Sequence, residues 1–64
     1  MTAATARTIC RDLGMTLRSL DGEWRVNYRG GEEATAYYTD DLADAIETAA
    51  AMDHARNATQ ELAR

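Results

Sequence analysis

At 64 residues and a formal charge of −4, the chain has room for one small domain and no second core. A domain this short buries only about 60% of the surface its unfolded form exposes, so dimerisation would be a natural way to bury more. Its single cysteine excludes an internal disulfide, no Cys/His set has metal-ligand spacing, and no stretch approaches the roughly 20 apolar residues of a membrane span.

The first predicted element is a short helix over 3–13. Ala6, Ile9, Cys10 and Leu13 follow the i, i+3, i+4, i+7 rule and form one apolar face. Thr2 or Thr5 is placed to cap its start, and Gly14 sits where a left-handed C-terminal cap is wanted. About three turns of helix are marginal alone, so this face must pack on something. The N-terminal run MTAATARTICRDLG lacks a basic start followed by a long apolar stretch. It predicts no signal peptide and a cytoplasmic protein.

Residues 15–20 and 23–29 read as two strands joined by Asp21-Gly22, a strong signal for a two-residue type I′ hairpin. That turn fixes the register. Met15, Leu17, Trp24, Val26 and Tyr28 fall on one face, with Trp24 expected in the middle of the interior. Thr16, Arg18, Arg25 and Asn27 fall on the other. Arg18 and Arg25 stand directly opposite each other, and like charges in that position call for a nearby acid or anion.

A third strand over 33–39 follows Gly30-Gly31. A two-residue loop there puts Thr35 and Tyr37 on the core face. A three-residue loop, Gly30-Gly31-Glu32, pairs Arg29 with Glu33 and puts Ala34, Ala36 and Tyr38 there instead. The second is preferred, because it places two small alanines under the incoming helix, and one residue of slip exchanges the two sets.

The main helix is predicted over 40–57, capped by Thr39 or Asp40, with Asp40, Asp41 and Asp44 near its positive dipole end. Leu42, Ala45, Ile46, Ala49 and Met52 form the buried stripe, and residues 58–64 are expected to fray. The predicted fold is α+β: one domain, α-β-β-β-α, a three-stranded antiparallel sheet with a long C-terminal helix packed on one face.

Two surfaces are candidates for function. Arg18, Arg25, Asn27, Arg29 and Tyr37 on the open sheet face have the chemistry to meet phosphates and bases. An ordinary solvated sheet face carries the same residue types. Asp40, Asp41, Asp44 and Glu47, with Asp53 beyond them, would dock on a basic protein partner. Helix capping accounts for three of those acids by itself. Cys10 lies on an apolar helix face and His54 late in the main helix, without the base and orienting group a nucleophile needs. No cofactor motif and no small-molecule site is evident, because Gly30-Gly31 is followed by a strand and not by a phosphate-binding helix. The expectation is a non-enzymatic protein.

The α-β-β-β-α order resembles double-stranded-RNA-binding domains. Those domains grip phosphates with a lysine-rich start to the last helix, and the equivalent run here is Asp40-Asp41-Leu42-Ala43-Asp44-Ala45, of opposite charge. The run GEWRVNYRGG, then Tyr37-Tyr38-Thr39 and an alanine-rich helix, is similar to the three-stranded arm-binding domains of phage and transposon integrases. The plant ethylene-response-factor type of DNA-binding domain shares that build. This likeness covers about half the chain and implies DNA contact through Arg18, Arg25, Asn27, Arg29 and Tyr37. Those families are usually basic, and this chain is acidic. In style the chain also resembles the small proteins of phages and prophages. The leading expectation is therefore a small binding protein acting through a protein partner or as a homodimer, with DNA binding by the arginine face as the alternative.

Overall fold

A computed structural model describes residues 1–62, with side-chain burial through Ala58. The order is α1 (Ala3–Asp12), β1 (Met15–Leu20), β2 (Glu23–Tyr28), a 3-10 turn (Glu33–Thr35), β3 (Tyr37–Thr39) and α2 (Leu42–Leu62). The strands form one antiparallel sheet in the order β1-β2-β3. The fold is α+β, as the sequence predicts.

Thr2 caps α1 by accepting the Thr5 N–H at 3.2 Å. The helix closes at Leu13, followed by Gly14 at φ +74°. Ala6 and Cys10 are buried, and Ile9 and Leu13 half-buried, as the spacing requires. Asp21 (φ 49°) and Gly22 (φ 83°) both take the left-handed conformation that a type I′ turn demands. The expected register follows, from Met15 opposite Tyr28 to Leu20 opposite Glu23.

Both helices pack on the sheet face that carries Met15, Leu17 and Val26. Ala6 and Cys10 of α1 and Ala45 and Ala49 of α2 complete the buried apolar core, with Leu42, Ile46 and Met52 half-buried around it. Trp24 is not central. Residues 18–23 are all exposed, so the hairpin tip projects past the helices and leaves Trp24 half-buried, with the Arg7 guanidinium 5.6 Å above its ring.

The connection between β2 and β3 departs from the prediction. The Gly31 N–H closes a turn onto the Tyr28 carbonyl at 2.9 Å, and a 3-10 turn follows at Glu33–Thr35. The ladder resumes only where Tyr37 meets Val26, Tyr38 meets Arg25 and Thr39 meets Trp24. β3 is thus short, and its faces are the reverse of those expected from a three-residue loop. Tyr37 lies on the helix side of the sheet and Tyr38 on the open side.

Asn27 explains this path. It is the buried polar residue of the sheet, 1% exposed, although the sequence predicts it on an open face. Its Nδ2 donates to the Glu32 carbonyl at 3.0 Å, and its Oδ1 accepts the Tyr28 N–H at 2.8 Å and lies 2.6 Å from the Thr35 hydroxyl. The side chain thereby stands in for ladder bonds that the connection lacks. Gly31 packs against it: a Cβ there would lie 2.6 Å from Asn27 Oδ1 and 3.0 Å from the Tyr28 carbonyl oxygen.

α2 starts two residues later and ends later than predicted. Asp41 is the cap, since its carbonyl accepts the Ala45 N–H at 3.0 Å and its Oδ1 accepts the Ala43 N–H at 2.9 Å. Thr39 shapes the approach by accepting the Asp41 N–H at 3.2 Å. The helix runs through residues expected to fray as far as Leu62, and residues 63 and 64 of that expected tail lie outside the described residues. Arg56 ties α2 to the rest of the fold. It donates to the Leu13 carbonyl at the end of α1 (3.1 Å) and to Asp53 Oδ1 (2.7 Å), and its guanidinium lies 5.0 Å from the Tyr28 ring centre. The Tyr28 hydroxyl donates to the Met52 carbonyl at 3.1 Å.

Asn27→Ala should cost about 2–4 kcal/mol, because it orphans buried partners as well as losing bonds. Urea denaturation reads this. A stability within about 0.5 kcal/mol of wild type would mean that the amide does not hold the connection down.

Candidate functional site

The open face of the sheet is a groove and not the flat surface the sequence predicts. The connection 29–36 rises along one side of it, and the groove, open to solvent, has a volume of about 410 Å³. Thr16, Arg18, Leu20 and Arg25 line it from β1 and β2, and Gly30, Gly31, Glu33 and Tyr38 from the far wall.

The expected opposition of Arg18 and Arg25 is present, and so is the acid it calls for. Arg25 Nη2 donates to Glu33 Oε2 at 3.1 Å, and the Tyr38 hydroxyl donates to the other carboxylate oxygen. The Tyr38 hydroxyl, and after it the Arg25 guanidinium, hold the Glu33 carboxyl below the usual glutamate range. The same two partners hold Arg25 firmly in its charged form. Glu33 is mostly exposed, so this pair positions the wall of the groove more than it stabilises the fold.

The five residues predicted to form a nucleic-acid surface do not stay together. Arg18 is exposed on the open face, and among the described residues it makes no ion pair. Arg25 is neutralised by Glu33. Asn27 is buried and bonded internally. Arg29 lies beyond the end of β2, exposed, with its N–H donated to the Gly14 carbonyl at 3.1 Å. Tyr37 is on the opposite face, where its hydroxyl donates to Asp44 Oδ2 at 2.7 Å. Tyr38 takes the aromatic place on the groove. Sequence reasoning missed Glu33 and Tyr38, although the two facing arginines were a signal for the first.

The acidic set is divided in the same way. Asp41 caps α2. Asp44 is held by Tyr37 and then Thr39, both of which depress its pKa. The bond to Asp44, followed by burial, in turn raises the Tyr37 phenol. Asp53 pairs with Arg56. Asp40 and Glu47 are exposed.

One further surface comes from topology alone. β1 is an edge strand of the sheet. It pairs with β2 without interruption from Met15 to Leu20 and contains no proline. Among the described residues, no backbone group of another element bonds to its outer side. Only residues 18–20 of this edge are exposed, since Met15 and Leu17 are buried, in keeping with natural edges, which are usually short, bulged, charged or covered. β3 at the other edge is short, three residues long, whereas β1 has six.

Among the described residues, no group of three or more His, Cys, Asp or Glu is arranged to hold a metal, and no helix is long and apolar enough to cross a membrane. Cys10 is buried, which pushes its thiol pKa up. No protein-family model, curated protein or solved structure matches the chain.

Two outcomes test this description. Because the Glu33 pKa is depressed, its link to the sheet is present above the ordinary glutamate pKa and is lost as pH falls through the depressed value. A carboxyl NMR titration should place the Glu33 midpoint below the usual range, and Tyr38→Phe should move it up. An unmoved midpoint contradicts the contact. Native Cys10 should react with iodoacetamide at least about tenfold more slowly than in urea, since only the exposed thiolate reacts.

Proposed function

We propose that this is a small non-enzymatic binding protein of the cytoplasm that works through a protein partner or as a homodimer. The observation that carries the reading is the groove bearing Arg18, Leu20 and Tyr38, beside the exposed end of the β1 edge at residues 18–20. An exposed edge offers backbone donors and acceptors to another chain, and neighbouring side chains supply the selectivity. Leu20 is 45% exposed and Tyr38 43%, which gives the groove apolar contact area next to an arginine. That mixture is typical of protein interfaces.

DNA binding through the arginine face is the second reading. Arg18, which makes no ion pair among the described residues, and the exposed Arg29 favour it. Against it stand the internal use of Asn27 and the neutralisation of Arg25. Few phosphates could be met by what remains, and affinity scales with phosphates neutralised.

The two readings separate in one titration. Isotope-labelled protein with added duplex DNA at about 50 mM salt, where electrostatic binding is strongest, should show no shifts at Arg18 or Arg29. Saturable shifts there, abolished by Arg18→Glu, would replace the protein-binding reading with the DNA one.

A further inference from the structure

The groove holds one positive charge more than its own residues neutralise. Arg18 of β1, Arg25 of β2 and Tyr38 of β3 stand in one row across the three strands. Glu33 engages the second and third of these, with one carboxylate oxygen on the Arg25 guanidinium and the other accepting the Tyr38 hydroxyl. The place over Arg18 is left open. Among the described residues, Glu33 is the one acid that lines the groove, against two guanidiniums. Glu23 stands diagonal to Arg18 across the ladder, but it does not line the groove and the two make no ion pair.

We infer that the groove takes an extended acidic segment of a partner protein, with its carboxylate on Arg18 and a neighbouring apolar side chain against Leu20 or Tyr38. This rests on the protein-binding reading above and specifies the chemistry of the partner. Charge selects a carboxylate. One free guanidinium beside the fixed Glu33 carboxylate suits a monoanion, whereas a phosphate dianion or a run of phosphates would meet repulsion from Glu33 and from a chain of net charge −4.

Shape selects a peptide. The groove is open to solvent and does not surround a small molecule, so a free carboxylate would touch little besides Arg18. Arg18 and Leu20 are two residues apart on β1, roughly 7 Å, and Tyr38 lies two strands away, roughly 10 Å. An extended segment of about four residues spans these distances, and its side chains two positions apart share one face, as those of Arg18 and Leu20 do. All three contacts are within reach, because Arg18, Leu20 and Tyr38 are exposed. A solvent-exposed ion pair adds little affinity. The apolar contacts therefore supply most of the binding, and Arg18 supplies the preference for an acid.

The experiment is an NMR titration of the isotope-labelled full chain with capped pentapeptides that carry Glu two positions before or after Leu or Phe. The expected result is saturable shifts at Arg18, Leu20 and Tyr38 with at least one of them, at a Kd on the order of 1 mM. The same peptide with Gln in place of Glu should bind at least about threefold more weakly. Arg18→Gln should abolish that difference, and Arg29→Gln, outside the groove, should preserve it. Arg18 is exposed and its side chain bonds nothing among the described residues, so the variant should fold. Absence of saturable shifts with every peptide overturns the proposal. Equal binding of the Glu and Gln peptides overturns the acidic preference and leaves the groove as a protein-binding surface. Shifts of the same three residues on raising the protein concentration alone would make the occupant a second copy, which overturns this partner and keeps the homodimer. DNA-dependent shifts in the titration above would remove the protein-binding reading itself, independently of these results.

Discussion

The rest of the structure depends on the buried amide of Asn27. Burying an unpaired carboxamide is costly, and here the cost is avoided because residues 32 and 35 come to it. The chain between β2 and β3 is thereby pulled across the open face instead of turning tightly. That one detour sets the parity of β3, places Tyr38 and Glu33 beside Arg25 and sends Tyr37 to the helix side. The groove exists because the wall that forms it is fastened at Asn27.

On the other face the fold is held by a thin apolar layer with polar fastenings around it. Val26, Ala6, Ala45 and Ala49 are fully buried, and Trp24 and Tyr28 only partly. Arg56 does work that a larger core would do. Its stem reaches from α2 to the end of α1, where the helix presents unsatisfied carbonyls and the negative end of its dipole. Tyr28 grips the same helix from below through the Met52 carbonyl. α1, the sheet and α2 are joined at one place by these two side chains.

Local signals were readable wherever they were sufficient. Asp21-Gly22 decides a turn by itself, because few residue pairs accept two positive φ values, and the β1–β2 register followed from it to the last pair. The spacing of Ala6 and Cys10 gave the buried side of α1. Gly30-Gly31 was different, since two glycines allow several turns and the choice among them is made elsewhere. The deciding contacts run from Asn27 to residues five and eight positions away, and a 3-10 turn at Glu33–Thr35 has no signature in composition. Arg56 was unreadable for the same reason: its partner at Leu13 is 43 positions distant. The candidate surfaces are divided by the fold, as Asn27, Tyr37, Asp41 and Asp44 all have internal partners that only the folded chain supplies.

The alanines at the helix contacts have a thermodynamic side. A side chain that is ordered on burial gives up rotamer freedom, by up to about 2 kcal/mol for the long flexible ones, and alanine gives up none. Three of the seven buried apolar residues are alanine. Such an interior yields little transfer energy, but it asks for little ordering in return. The exchange is only partial, because burying a leucine gains more than its ordering costs, and the remainder falls to fastenings such as Arg56 and Tyr28.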